Sequence, residues 1–164
     1  MNLGNQVEWA LHCMTVLAGM PEEVQVPAKV LAEFHGVPKE YLSKSLQLLS
    51  NEGLVITSLG PKGGYRLAKS PEQISLLEIV EAVEGKKKTF NCQEIRRNNP
   101  CSSKKSKSFS SVCSIAAVMY QADEAWRTIL RKTTLADILT DLQKKLDPDD
   151  VAKNMKWFED NIKT

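Results

Sequence analysis

The sequence predicts a mainly α fold with a small β-wing: a winged helix-turn-helix unit followed by a long helix. Three observations predict it. Two short helical segments, PAKVLAEFHG and PKEYLSKSLQLLSNEG, lie in tandem around a glycine turn. A hairpin pattern, LVITSLGPKGGYRLA, comes straight after them, where a wing belongs. Beyond a polar stretch, helical periodicity resumes in CSIAAVMYQADEAWRTILRKT, long enough to project from a small domain.

The elements follow in order. Residues 3–19 read as a helix. Val7, Leu11, Met14 and Ala18 make one apolar face and Trp9, Cys13, Val16 and Met20 a second, roughly opposite, which predicts packing on two sides. Glu8 and His12 fall between those faces. Pro27 suits the first turn of the next helix, which Gly36 stops. His35 stands in its last turn, where the C-terminal dipole is the simplest partner. Pro38 opens the following helix and Gly53 closes it, with Leu42, Leu46 and Leu49 inward and Lys39, Ser43, Lys44 and Gln47 opposite. LVITSL is β-branched, GPKGG is turn chemistry and YRLA resumes a strand. ISLLEIVEAVEG is a further helix, after which periodicity is lost until Val112. Thr134 is placed to cap TLADILTDL. The tail DPDDVAKNMKWFEDNIKT forms a last amphipathic helix with Val151, Met155, Phe158 and Ile162 on one face. The expected division is therefore 1–85 for the winged unit, 86–112 for a cysteine-containing loop, 113–146 for the long helix and its short successor, and 147–164 for the tail.

Composition narrows the class. A chain of 164 residues that is 42% hydrophobic and 26% charged is ordinary for a globular protein. The N-terminus lacks a basic leader and its first apolar run is broken by Glu8 and His12, so a cytoplasmic protein without a membrane span is expected. Four cysteines in that compartment suit metal or redox chemistry better than a disulfide scaffold. The net charge is only +2, but the stretch from Glu84 to Val112 carries eight basic residues against two acidic ones, a flag compatible with an anionic partner. No HExxH, nucleophile elbow or phosphate-binding glycine loop is present, and GPKGG runs into a strand, so an enzyme is not expected.

Several motifs carry a family resemblance: EYL (Glu40 to Leu42), EGLV (Glu52 to Val55), GPKGGYRL (Gly60 to Leu67), LLEIVEAVEG (Leu76 to Gly85) and TLADIL (Thr134 to Leu139). In this order they resemble the iron–sulfur winged-helix regulators of the IscR and NsrR type (the Rrf-two family). The opening VEWALHC, Val7 to Cys13, is most similar to the redox-sensing two-iron branch of that family. The resemblance implies a homodimeric transcriptional regulator, a repressor, dimerised through the long helix and bound to a near-palindromic double-stranded operator. It implies that the helix from Pro38 enters the major groove and that the wing crosses the phosphate backbone. The residues agree. Lys39, Tyr41, Ser43, Lys44 and Gln47 can face outward, and a glutamine pairs with adenine while a lysine reaches guanine or phosphate. In the wing, Gly63 and Gly64 permit close approach, with Lys62 and Arg66 as the charges.

The cysteines are spaced Cys92-x8-Cys101-x11-Cys113, wider than the loop of four-iron members and without the CxxC pair of a zinc site. Cys92 follows the last patterned helix and Cys113 starts the long one, so both ends are anchored. Cys101 lies mid-loop, where ordering a ligand costs more entropy, and reads as spare or redox-active. Cys92 and Cys113 are thus the expected thiolate ligands of a 2Fe-2S cluster, with 4Fe-4S as the alternative. The resemblance places an acidic first-helix residue near the cluster of the other subunit, and Glu8 stands there. Spacing extends this to His12, one turn on and on the same face. Nitrogen ligation would raise the cluster potential, which suits an oxidation-state switch. Cys13, on an apolar face, reads as core. The competing reading is a cluster-free or zinc-loaded winged-helix regulator that acts through cysteine oxidation.

Overall fold

The computed structural model describes residues 3–60, 63–101 and 109–162. Seven α-helices and a two-stranded antiparallel sheet lie among them: α1 (Asn5–Gly19), α2 (Ala28–His35), α3 (Lys39–Asn51), β1 (Val55–Ser58), β2 (Gly64–Leu67), α4 (Leu76–Glu84), α5 (Ser114–Lys132), α6 (Leu135–Lys145) and α7 (Pro148–Ile162). Short 3-10 turns stand at Pro71–Gln73 and Ile95–Asn98. The mainly helical winged fold is the one expected from the sequence.

α1 is central, packed on α3, α4 and α6. Its buried residues are Val7, Ala10, Cys13, Met14 and Leu17, a single stripe at helical spacing. The expected two-sided packing is therefore corrected. Leu11, Ala18, Trp9, Val16 and Met20 are only partly covered on the flanks of that stripe, and Glu8 and His12 are exposed. Apolar residues on both flanks gave the sequence a two-faced pattern although one face meets the core.

α2 and α3 form the helix-turn-helix. Gly36 caps α2 in the left-handed region at φ 63°, donating to the Ala32 and Glu33 carbonyls, which lets the chain turn into α3 within three residues. Leu42, Leu46 and Leu49 are fully buried, as their spacing predicts. β1 and β2 pair with Val55 opposite Leu67 and Ser58 opposite Gly64. Val26 adds an isolated bridge on the other edge of β2: its N–H donates to the Tyr65 carbonyl and the Tyr65 N–H to the Val26 carbonyl, both at 2.9 Å. The wing is thus pinned to the chain that leads into α2, and Ser58 Oγ adds a hydrogen bond to Gln25 Oε1.

α4 and α6 begin side by side. Each has a capping box, Ser75 with Glu78 and Thr134 with Asp137. Leu76 N–H donates to the Thr133 carbonyl at 2.9 Å and Leu135 N–H to the Ile74 carbonyl at 3.0 Å, so the two starts are bridged. Leu135 is fully buried and seals the core beneath α1. Ser75→Ala removes the acceptor for the Glu78 N–H and is expected to cost about 1 kcal/mol. A thermal melt should show that loss as a fall of roughly 2–4 °C.

α7 docks on α2. Phe158 is 2% exposed and lies 4.5 Å, ring to ring, from Phe34, with Trp157 at 5.4 Å. Val151, expected on the buried face, is 40% exposed; Trp157 takes part instead, because the docking surface is formed by Phe34 near the C-terminal end of α2. No described helix is long and apolar enough to cross a membrane.

Candidate metal centre and nucleic-acid interface

The chain leaves α4 at Gly85, whose φ of 80° turns it toward α5. It then reaches Cys92 and the 3-10 turn Ile95–Asn98. Cys113 immediately precedes the first residue of α5, as its N-cap. These two ends meet. Cys92 and Cys113 line one hollow of about 240 Å³, together with Phe90, Ile95, Arg96 and Ala116. Neither is in a disulfide.

Arg96 organises this hollow. Its guanidinium grips the Glu94 carboxylate through Nε and Nη2, the latter at 2.7 Å, and Nη2 also donates to the Ser111 carbonyl at 3.2 Å. It stands over the Phe109 ring at 5.7 Å and lies close enough to feel both Cys113 and Cys92 electrostatically. Glu94 makes this geometry by sitting at φ 51°, uncommon for a residue with a side chain. The helix end adds to the field. No N–H makes a capping hydrogen bond to the Cys113 side chain, yet the Ala116 and Ile115 N–H dipoles, followed by Arg96, draw its thiol below the ordinary value despite the opposing Glu94 charge. The thiolate of Cys113 is therefore easier to form than that of an ordinary cysteine. Sequence reasoning missed Glu94 and Arg96, since EIRR reads as ordinary charged loop.

Cys101 is exposed and its N–H is held by the Asn99 side chain at 2.9 Å. It is not among the residues that line the hollow of Cys92 and Cys113. Cys13 is fully buried, and burial pushes its thiol up to about 12, which removes it from ligand chemistry.

Glu8 and His12 share the exposed side of α1, where they line a different hollow with Leu3, Gly4 and Leu11. Within one chain they are not brought to the cysteines. The structure instead places the His12 ring 5.8 Å from that of His35. The dipole reading of His35 is corrected here. Its Nε2 is buried with no hydrogen-bond partner among the described residues, and burial, then the charge of His12, hold the imidazole below its ordinary pKa. A cation stabilised by a helix C-terminus would shift the other way.

The outward face of α3 carries Lys39, Tyr41, Lys44 and Gln47, all exposed, with Ser43 half-buried beside them. Lys44 Nζ lies 5.6 Å from the centre of the Tyr41 ring, which steadies both. In the wing, Gly63 and Gly64 lie against backbone, and Arg66 is opposite Ile56. Lys62 lies outside the described residues, as do Lys104, Lys105 and Lys107 of the basic loop. Along α5 only Ala116 is buried. Ile115, Val118, Met119 and Ile129 stand out of it at helical spacing, 70%, 63%, 38% and 65% exposed.

A family model described as Rrf2, iron-dependent transcriptional regulator, matches residues 3–141. The transcriptional regulator NsrR of Geobacillus kaustophilus is 30% identical over 141 residues, which is 86% of this chain and 91% of that protein. Among solved structures, CymR, the global cysteine regulator of B. subtilis, aligns with a TM-score of 0.68 at 22% identity over 85% of this chain and 97% of that one. IscR of T. potens aligns with a TM-score of 0.68 at 23% identity over 90% and 92%. These two likenesses concern the fold. The family model and the NsrR relative are named for control of transcription, not for an enzymatic activity.

Proposed function

The chain belongs to the Rrf2 family of DNA-binding transcriptional regulators, and from that premise we propose a homodimeric repressor whose operator affinity is switched at an iron–sulfur cluster. The observation that carries this reading is the convergence of Cys92 and Cys113 on one hollow, beside Arg96 and the N-terminus of α5. That donor set fits a cluster: two thiols, one of them acidified, next to fixed positive potential. Cys92 and Cys113 would hold it, with Glu8 and His12 of the second subunit completing a 2Fe-2S site. When bound, such a cluster supplies a one-electron change of charge at the hollow.

The chain's own residues supply the rest. The α5 N-terminus, followed by Arg96, favours the anionic form of the Cys113 sulfur. The apolar stripe Ile115, Val118, Met119 and Ile129 calls for burial against a second copy, which would bring one subunit's α1 to the other's cysteines. α1 then couples the two functions. Its outward side carries Glu8 and His12, and its buried side packs on α3, the helix that reads DNA. A signal shifts affinity only by its differential interaction with the two states of such an element.

The deciding experiment counts iron and sulfide in anaerobically purified protein and records its absorption. About two of each per chain with visible bands supports a 2Fe-2S site. Colourless protein with free thiols would return the reading to a regulator that acts by cysteine oxidation.

Operator contacts are tested separately. Gln47→Ala should relax base preference at one position per half-site, costing about 1–3 kcal/mol of discrimination there. Arg66→Ala in the wing should weaken all sequences alike and reduce the salt slope by about one. Binding measured across single-base operator variants and salt separates the two effects, and unchanged base preference in Gln47→Ala would mean that α3 reads DNA through other residues.

A further inference from the structure

Between Gly85 and Cys92 the chain has no regular secondary structure, yet it is tied to α5 at Asp123, Arg127 and Tyr120. The Asp123 carboxylate accepts four hydrogen bonds. The Thr89 N–H and Thr89 Oγ1 donate to Oδ1 at 3.3 and 2.5 Å, Trp126 Nε1 to the same oxygen at 3.0 Å, and Arg127 Nε to Oδ2 at 2.9 Å. Arg127 extends the network in two directions. Its Nη1 donates to Glu81 of α4 at 2.6 Å, and its Nη2 to the Lys87 carbonyl. Arg127 and Asp123 are each 13% exposed and Glu81 19%, so solvent competes weakly for the bonds among these three. Lys88 Nζ and the Phe90 ring both lie against Tyr120, one turn earlier on α5, at 5.6 and 6.1 Å.

The network meets three parts of the molecule at once: α4 of the winged unit, the long helix α5, and the segment that delivers Cys92. Glu81 and Arg127 join the two helices without Thr89. The two bonds from Thr89 serve only the segment. Cys92 lies three residues beyond them, so its place beside Cys113 depends on where residue 89 is held.

We propose that Asp123 and Thr89 are positioning residues for Cys92, setting its thiol beside Cys113 from an anchor on α5. For its metal-bound consequences this inference rests on the cluster reading above; for the placement of the thiol it does not. Thr89 is exposed, so its substitution leaves the core untouched. The anchor also gives α4 and α5 a shared stake in the position of Cys92.

The test uses the full-length protein and two readouts. In the cluster-free, reduced form, alkylation by iodoacetamide is followed cysteine by cysteine by mass spectrometry. Thr89→Val should raise the rate at Cys92 by about tenfold, as local order is lost, while Cys101 reacts as in wild type. Thr89→Ser, which keeps the hydroxyl, should restore the wild-type rate. Asp123→Asn should reproduce the effect of Thr89→Val at Cys92. Thr128→Val, on the same helix but bonded to Glu124, should not. In iron-loaded protein, Thr89→Val should lose its visible absorption to a chelator about tenfold faster than wild type. A wild-type alkylation rate at Cys92 in folded Thr89→Val would overturn the proposal. If wild-type protein holds no iron, the cluster reading falls and the alkylation measurement still decides this one.

Discussion

Cys113→Ala protein purified without oxygen is expected to carry no visible absorption, and Cys92→Ala likewise. Both remove one of the two thiols that converge beside Arg96, and two sulfurs leave no redundancy. The loss should be complete rather than partial. Cys113 faces the first N–H groups of α5, so its replacement also removes the anion that they favour. His12→Ala should keep the fold and the dimer, because His12 is exposed. It should change the spectrum and accelerate cluster loss by about 10–100-fold. Cys101→Ala should be mild, and Cys13→Ala should leave the spectrum alone while costing roughly 1 kcal/mol through the small void left in the core. A mixed dimer then locates the ligands. Pairing a Cys92→Ala chain with a His12→Ala chain preserves one of two sites if ligands are shared between subunits, and neither if each site belongs to one chain. An unaltered spectrum in His12→Ala would return that residue to a structural role beside His35.

Gly64→Ala is expected to be among the most damaging single methyl additions in the molecule. A Cβ at that position would lie 2.6 Å from the Val26 carbonyl carbon, 2.7 Å from its oxygen and 2.8 Å from Pro27 N. All three are backbone atoms, so no side chain can swing aside. The pairing between Val26 and Tyr65 must open, which forfeits two hydrogen bonds at about 1 kcal/mol each and adds strain. A loss of about 3 kcal/mol follows, read as a fall in melting temperature of roughly 6–12 °C. Operator binding should fall further than stability alone explains, because the wing would be released from the chain that enters α2. Gly36→Ala offers the contrast. It has open space around a Cβ but a φ of 63°, so only the left-handed penalty applies, about 1–2 kcal/mol. If the two variants melted together, the close approach at Gly64 would not be the decisive term.

Most of the fold was legible because its signals are local. Gly36, Pro38 and the leucine spacing of α3 report on their own segment, as do the capping residues Ser75 and Thr134. Cys113 likewise stands at a helix boundary, just before α5, whereas Cys92 lies eight residues beyond the end of α4, so its place beside Cys113 was not local information. What stayed hidden depends on partners far away in the chain. Whether α1 buries one face or two depends on α3, α4 and α6, none of which its own periodicity describes. His35 looked like a helix-end cation until α1 placed His12 beside it. Asp123 and Arg127 stand i, i+4 on α5, and nothing in that spacing announces their partners Thr89 and Glu81, more than thirty residues away in the sequence. Val26 carried no strand signal at all, since a single rung leaves no alternating pattern.

The bridged starts of α4 and α6, with Phe158 of α7 seated against α2, separate the order of the chain from the order in which force is carried. The last fifty residues leave the winged unit as α5 and come back to grip it from beneath, at Ile74, Leu135 and Phe34. A backbone severed anywhere between Cys101 and Phe109 would therefore still be a single particle, its two pieces clasped like a buckle whose strap has been cut. Changing the length between Cys101 and Phe109 should likewise leave those contacts of the winged unit in place.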